Sequence, residues 1–288
     1  MPTDAPPSEP SPALPAASVL LLREGSDGIE VLAFQRHGGH RAFAGMLAFP
    51  GGKVMDSDHD PEVRELADGT EGLSDEALGY RVTGVRELFE ETGVLLARDA
   101  SGELVDGDRA RSLWPQRMPL DKGELPLAGF LRAEGLRLAC DLMVPYSNWV
   151  TPAFRPKRFD THFLVAPAPG GQEIHHPGTE ADEVFWVRPR DILAEVDAYR
   201  RRMMFTTYSN LTMLRDCRTV AEAQAVARAM PKLAVSPVRV SSEKGLRVRI
   251  PAESGYRITE MPAEIGGENG VSAMEMAEAR EKAGGVNS

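Results

Sequence analysis

Between Phe49 and Val94 the chain carries a tight glycine turn, Phe49-Pro50-Gly51-Gly52, and a carboxylate-dense segment, Arg86-Glu87-Leu88-Phe89-Glu90-Glu91-Thr92-Gly93-Val94. At about 100° per residue, Leu78, Val82, Val85, Leu88 and Phe89 fall within one arc of a helix, which predicts a packed face. Glu87, Glu90 and Glu91 fall on the other side, and Gly93 marks where the helix stops. The expectation is a helix with one buried face and one outward, negatively charged face. Glu87 stands i,i+3 and i,i+4 from the other two glutamates, and like charges so placed destabilise a helix by roughly 0.2 to 0.5 kcal/mol per pair. A divalent cation reverses that repulsion. Oxygen donors of this kind suit Mg²⁺ or Mn²⁺, which can clamp a phosphoanhydride and activate a water. A charged helix face is ordinarily just solvated. The glycine turn argues for more, because it lets backbone bend sharply and approach a ligand closely.

Together the two segments resemble the Nudix box, Gly-X5-Glu-X7-Arg-Glu-U-X-Glu-Glu-X-Gly-U, with U a bulky aliphatic. Arg86 to Val94 matches its second half at every specified position. The first half departs: counted from Gly52, the family glutamate falls on Asp58, and residues 59–85 separate it from Arg86. The Asp68-Gly69-Thr70-Glu71-Gly72 run predicts that this insertion loops out before the helix. Upstream, Leu32, Arg36, Arg41, Gly45, Phe49, Pro50, Gly51 and Gly52 match the signature of the coenzyme A branch of Nudix enzymes without a gap. Ala33, Phe34 and His37 depart from it. The run from Trp149-Val150-Thr151-Pro152 to Arg158-Phe159-Asp160-Thr161 is also similar to the acyl-CoA diphosphatase branch. Its aromatic residues, Trp149 and Phe159, read as core, and Arg158 with Asp160 as an ion pair.

The resemblance implies an α/β fold, a Nudix-type α/β/α sandwich with a central mixed sheet. It implies Glu87, Glu90 and Glu91 as ligands of Mg²⁺ or Mn²⁺, and Arg86 as organiser of the Gly51–Asp58 loop within the catalytic set. Glu87 or a carboxylate after Gly170 would serve as base, Glu180 and Glu183 being the candidates. Arg36, Arg41, Gly51 and Gly52 would bind substrate, arginine forks being suited to phosphate oxygens. The implied substrate is coenzyme A or an acyl-CoA, cut to 3',5'-ADP and a phosphopantetheine. ADP-ribose, NADH and dinucleoside polyphosphates stay open within the class, and a Nudix-fold sensor without turnover stays open outside it.

The remaining sequence sets bounds. With 288 residues, 42% hydrophobic and 26% charged, the chain has an ordinary globular composition. A formal charge of −10, with no basic stripe, argues against a nucleic-acid polymer as partner. Cys140 and Cys217 imply no disulfide framework. Residues 1–17 are proline-rich and read as a flexible arm without a secretory signal. The apolar run Val19–Leu22 is too short to span a bilayer. Val286-Asn287-Ser288 is not a Ser-Lys-Leu-type address, so the cytoplasm is expected, with a small nucleotide as partner and homodimerisation left open.

Residues 18–230 form the expected Nudix domain, 231–261 an extension with a weak strand pair, and 262–288 a mobile tail. The predicted elements are a hairpin (Val19–Leu22, Ile29–Phe34), a short helix over Asp106–Leu113, strands Leu142–Thr151, Arg158–Ala166 and Glu183–Val187, and helices Pro189–Arg202 and Tyr208–Met230. The strand pair is Val238–Ser241 with Leu246–Ile250. The segment from Leu95 to Pro126 shows no chemistry, and His59, His175 and His176 read as surface loop residues.

Overall fold

The computed structural model describes residues 11–36, 45–153, 155–175, 181–198, 200–243 and 245–263; the side chains of 36, 181 and 182 lie outside that description. Strand β1 (Ala13–Gly25) turns at Gly25-Ser26-Asp27-Gly28 into β2 (Gly28–Arg36), the expected hairpin. Two short strands, β3 (Met46–Ala48) and β4 (Gly51–Lys53), flank Phe49-Pro50. A 3-10 turn over Asp56–His59 leads to α1 (Pro61–Glu65) and the long helix α2 (Asp75–Thr92). A covering segment follows: β5 (Ala97–Arg98), α3 (Gly107–Leu113), α4 (Arg117–Asp121), α5 (Leu127–Glu134) and β6 (Arg137–Leu138). Strands β7 (Val144–Val150), β8 (Arg158–Pro167) and β9 (Ala181–Val187) return to the main sheet. Beyond them lie α6 (Pro189–Asp197), β10 (Arg202–Met203), α7 (Phe205–Leu214), α8 (Val220–Ala229), β11 (Ala234–Val235), β12 (Val238–Ser242), β13 (Gly245–Arg249) and β14 (Glu260–Pro262).

The main sheet runs β10-β3-β2-β1-β8-β7-β11, with β4 also on β1 and β9 also on β2. It is mixed, because β1 pairs parallel with β8 over its first ten residues' worth of register, Ala13 with Arg158 through Leu22 with Pro167, and antiparallel with β2 and β4. Val19 to Leu22 are all buried, as a strand covered on both faces requires. Alternation then sorts the layers: Val19 and Leu21 join the core with α2, α3 and α5, while Leu20 and Leu22 join the core with α6, α7 and α8. The α/β/α sandwich follows from that two-sided burial.

On its other edge β1 changes partner, pairing with β4 at Ala16–Ser18 and with β2 at Leu22–Gly25. In the fork between them Val19 N–H donates to the Pro50 carbonyl at 2.8 Å. The glycine turn is thereby wedged into the sheet. Helix α2 crosses above it, starting at the Ser74 cap, whose side chain accepts from Ala77 N–H, and ending at Gly93, which is left-handed at φ 74°. Gly84 lies where a Cβ would come within 3.0 Å of Val19 and 3.2 Å of Leu164. That close seat offsets the roughly 1 kcal/mol that a mid-helix glycine costs relative to alanine.

Several expectations need correction. The stretch read as an arm through residue 17 is strand from Ala13, with Ala16 and Ala17 buried, because the parallel pairing with β8 absorbs it. The insertion at 59–85 loops out only as far as Leu73; from Asp75 onward it lengthens α2. The helix expected over Tyr208–Met230 is two, α7 and α8, restarted by Thr219, whose hydroxyl accepts from Glu222 N–H. Helix α6 ends at Asp197, short of Arg202. The terminal strand pair gains a third member, β14 (Glu260–Pro262), which pairs with β13; of the tail expected over 262–288, residues 264–288 lie outside the described residues.

That small sheet is fastened through a buried polar group. Tyr256 Oη donates to Asn210 Oδ1 at 2.5 Å and accepts from Trp149 Nε1 at 2.8 Å; Ser147 Oγ also donates to Asn210 Oδ1, at 3.0 Å. Asn210 is fully buried. Asn210→Leu strands two hydroxyls, each at about 1 to 3 kcal/mol. A loss of at least about 2 kcal/mol is expected, read from the urea midpoint.

Candidate functional site: a buried arginine clasp under the glycine turn

Arg86 is 6% exposed, and its guanidinium gathers the site. Nε and Nη2 donate to Asp58 Oδ1 and Oδ2 at 2.8 and 2.9 Å. Nη1 donates to Glu87 Oε1 at 2.8 Å and to Glu90 Oε2 at 2.9 Å, and Nη2 also donates to the Lys53 carbonyl at 3.0 Å. All five donors of the fork are engaged. Arg86 therefore organises the loop after Gly52 and has no donor left for a substrate. Burial works to lower its pKa, but the bonds to Asp58 and the charges of Glu87, Asp58 and Glu90 prevail and raise it.

Asp58, far from Arg86 in sequence, is its bidentate partner. It also accepts from Thr83 Oγ1 at 2.7 Å and from Met55 N–H at 2.9 Å. The shorter carboxylate thus sits where it ties the 3-10 turn to α2, and the intervening insertion does not disturb the pairing.

The glycine turn meets the same helix. Glu91 Oε2 accepts from Gly51 N–H at 2.8 Å. A Cβ on Gly52 would lie 2.2 Å from Glu87 Oε1, and one on Gly51 would lie 2.3 Å from the Ala17 carbonyl. Gly51 requires glycine because the approaching atoms are backbone, whereas a side chain at Gly52 would displace the Glu87 carboxylate. The expectation of an outward carboxylate face is corrected here. Glu90 is 7% exposed and Glu87 and Glu91 are half-buried, because the carboxylate arc turns onto β4 and not to solvent.

Glu90 is the strained member. Burial pushes its pKa up to about 8; Arg86 opposes that and Glu87 adds to it. The charge count gives the same direction: one guanidinium is already matched bidentately by Asp58, so the surplus negative charge falls on the most buried glutamate. Glu90 Oε1 is buried with no hydrogen-bond partner. A carboxyl oxygen left so, beside two further carboxylates, fits a hard divalent cation once its proton is displaced. Among the described residues, no group of three or more His, Cys, Asp or Glu side chains is arranged to hold a metal ion, since Glu87 and Glu90 are turned on Arg86 and Glu91 on Gly51. An ion would compete with those bonds for the same oxygens.

The C-terminal end of α2 is held by a set that the sequence reading passed over. Arg117, 3% exposed, donates from Nε and Nη2 to the Glu90 carbonyl at 3.1 and 2.5 Å. Its Nη1 donates to the His175 carbonyl at 2.6 Å and to His175 Nδ1 at 3.0 Å. Burial lowers its pKa to about 10 against the charges of Glu90 and Glu91. Trp114 Nε1 donates to the Gly93 carbonyl at 3.1 Å and its ring stacks on His175 at 4.3 Å. His175 N–H donates to the Thr92 carbonyl at 2.8 Å. The segment read as lacking chemistry thus caps the carboxylate helix. A lone arginine in a polar stretch gives no sequence signal for that role.

The other predicted residues divide. Glu183 pairs with Arg201 at 3.6 Å, and the alternation of β9, with Val184 and Trp186 in the α2 core and Phe185 in the other, places it on the far face. Arg36 ends β2 opposite Ala181, after an irregularity in register. Arg41, Glu180, His37 and His176 lie outside the described residues. His59 is exposed, as expected, while His175 is exposed but stacked and bonded as above. Trp149 is core, and Arg158 donates to the Thr151 and Ser11 carbonyls.

This architecture is that of the Nudix hydrolases: the fold is the Nudix fold. A solved Nudix hydrolase from Alicyclobacillus acidocaldarius superposes with a TM-score of 0.67 at 29% identity, covering 75% of this chain and 96% of that one. A Caenorhabditis elegans protein described as nudix hydrolase 7 is 26% identical over 183 residues, 64% of this chain. The chain spans about half (54%) of the length of that relative. No protein-family profile matches the chain. Among the described residues, no helix is long and apolar enough to cross a membrane.

Gly52→Ala puts a methyl against the Glu87 carboxylate, which must shift off its bond to Arg86; a lower melting temperature with cooperative thermal unfolding retained is expected. Glu90 also links stability to pH. The folded protein keeps this proton up to about 8, whereas the unfolded chain releases it near 4.5. Metal-free protein therefore binds more protons folded than unfolded in that window, and its stability falls as pH rises through it. Melting temperatures in chelator are expected to show that fall, with a flatter profile in Glu90→Gln.

Proposed function

We propose that the chain hydrolyses a phosphoanhydride bond in a nucleoside diphosphate linked to another moiety, using Mg²⁺ or Mn²⁺. The observation that carries this reading is Glu90: a buried carboxylate with one unpartnered oxygen, held by Arg86 beneath a glycine turn. Glu87, Glu90 and Glu91 would hold the ions, which supply charge neutralisation of the pyrophosphate and a lowered pKa for water. Glu87, against Gly52, stands to take the proton of the attacking water, with Glu180 as the other candidate base. Water attacks one phosphorus of the P–O–P bridge, which gains the hydroxyl as its bond to the bridging oxygen breaks; that oxygen leaves on the other phosphorus as a phosphate monoester, and the water's proton goes to the base. Arg86 keeps the carboxylates and the turn in register, and Gly51 and Gly52 let substrate oxygens approach backbone.

For the substrate we favour coenzyme A or an acyl-CoA, giving 3',5'-ADP and (acyl-)4'-phosphopantetheine. Support comes from the spacing of Arg36, Arg41 and Gly45 to the glycine turn. Strand β2, which ends at Arg36, pairs at Phe34 with Ala48 of β3, just before that turn. ADP-ribose, NADH or another nucleotide is the alternative within the class. A nucleotide sensor without turnover is the second reading, favoured by the closure of Glu87 and Glu90 on Arg86.

The test is chromatography of coenzyme A, ADP-ribose and NADH after incubation with Mg²⁺ or Mn²⁺. Coenzyme A is expected to give 3',5'-ADP and phosphopantetheine, with Glu91→Gln reduced at least about 100-fold, more than the loss of a supporting partner brings. Cleavage of another diphosphate alone would move the substrate assignment; binding without cleavage would favour the sensor.

A further inference from the structure

We infer that Arg117 is a positioning residue for the carboxylates of α2, setting where Glu90 and Glu91 stand; this rests on the metal-dependent reading above. Glu90 is gripped from two directions by buried guanidinium groups. Arg86 holds its carboxylate, and Arg117 spends two donors on its carbonyl oxygen. A helix end leaves its last carbonyls without intrahelical partners. Here three of them are taken in turn: Glu90 by Arg117, Thr92 by His175 N–H and Gly93 by Trp114. Gly93 completes the seat, since a Cβ there would lie 2.7 Å from Trp114 Nε1 and 3.2 Å from Arg117 Nη1.

The anchorage is stronger than a helix cap needs. Arg117 is charged and buried, yet its bonds go to carbonyls and an imidazole nitrogen, with the nearby charges of Glu90 and Glu91 and the helix C-terminal dipole as counter-charge. Through His175 it also fixes the segment that Gln172 pins to Leu95 and Val105. The last turn of α2 is thus locked to two separate parts of the chain. Groups that orient first ligands in this way are worth about 10- to 100-fold in metal affinity or activity.

Charge and placement act in opposite directions, which makes the role testable. Removing a nearby cation should by itself tighten Mn²⁺ binding, so weaker binding in Arg117→Met can only reflect lost placement. The experiment is Mn²⁺ titration of the full chain followed by electron paramagnetic resonance of the free ion, with Arg117→Met, Arg117→Lys and Trp114→Phe. Thermal unfolding serves as the check of folding. We expect both Arg117 variants to bind Mn²⁺ about 10- to 100-fold more weakly, with kcat falling and KM for the nucleotide unchanged. Lysine keeps the charge but cannot bridge Glu90 and His175. Trp114→Phe keeps the ring on His175, loses only the bond to Gly93, and should show a smaller shift in the same direction even if Arg117→Met fails to fold. Equal or tighter Mn²⁺ binding in the folded variants overturns the inference while leaving the metal reading intact. A wild-type chain that binds no Mn²⁺ overturns both.

Discussion

One guanidinium set among three carboxylates governs this structure. Arg86 matches Asp58 through two bonds and reaches Glu87 and Glu90 through two more. Asp58, Glu90 and the arginine itself are nearly excluded from solvent. Breaking such a group by deleting one partner is typically worth 3 to 5 kcal/mol, because the charge left behind is buried without compensation. The balance is also incomplete, since one positive charge cannot neutralise three negative ones. Burial first, and that surplus with it, raise the Glu90 pKa.

The surplus is tolerable only because packing elsewhere holds it in place. Helix α2 is seated on the sheet through Gly84 and on the turn through Gly52, and apolar residues from both the insertion and the α3–α5 segment close over its other side. The fork in the sheet, where β1 exchanges β4 for β2, is what lets Pro50 and Gly51 lie against the strand and still face the carboxylates. On the far face a separate core, with the Asn210 hydrogen bonds to Ser147 of β7 and to Tyr256, backs the same sheet. The candidate site is thus confined to one seam between helix and sheet.

The long separation between Asp58 and Arg86 is accommodated for the same reason. Residues 61–74 fold outward as α1 and a loop, fastened by ion pairs of Asp68 with Arg98 and Arg137, and the remainder simply lengthens α2 toward its N-terminus. Neither change moves the 3-10 turn that presents Asp58. An insertion is harmless where the geometry on either side of it is fixed by other bonds.

The sequence by itself determined the local terms: the β1–β2 hairpin from its Gly-Ser-Asp-Gly turn, the carboxylate helix with its stop at Gly93, and the glycine turn. Each of these depends on residues adjacent in the chain or one helical turn apart. The tertiary structure decided what those elements face. It turned the glutamates inward onto β4, made Asp58 and not a solvent shell the partner of Arg86, and sent Glu183 to Arg201 on the opposite face. It also drew Arg117 and Trp114 to the end of α2 and began β1 at Ala13, inside a proline-rich stretch. Those outcomes rest on contacts between distant segments, where strand parity, close glycine approaches and the shortage of counter-charge in a buried seam act together, and no periodicity along the chain encodes them.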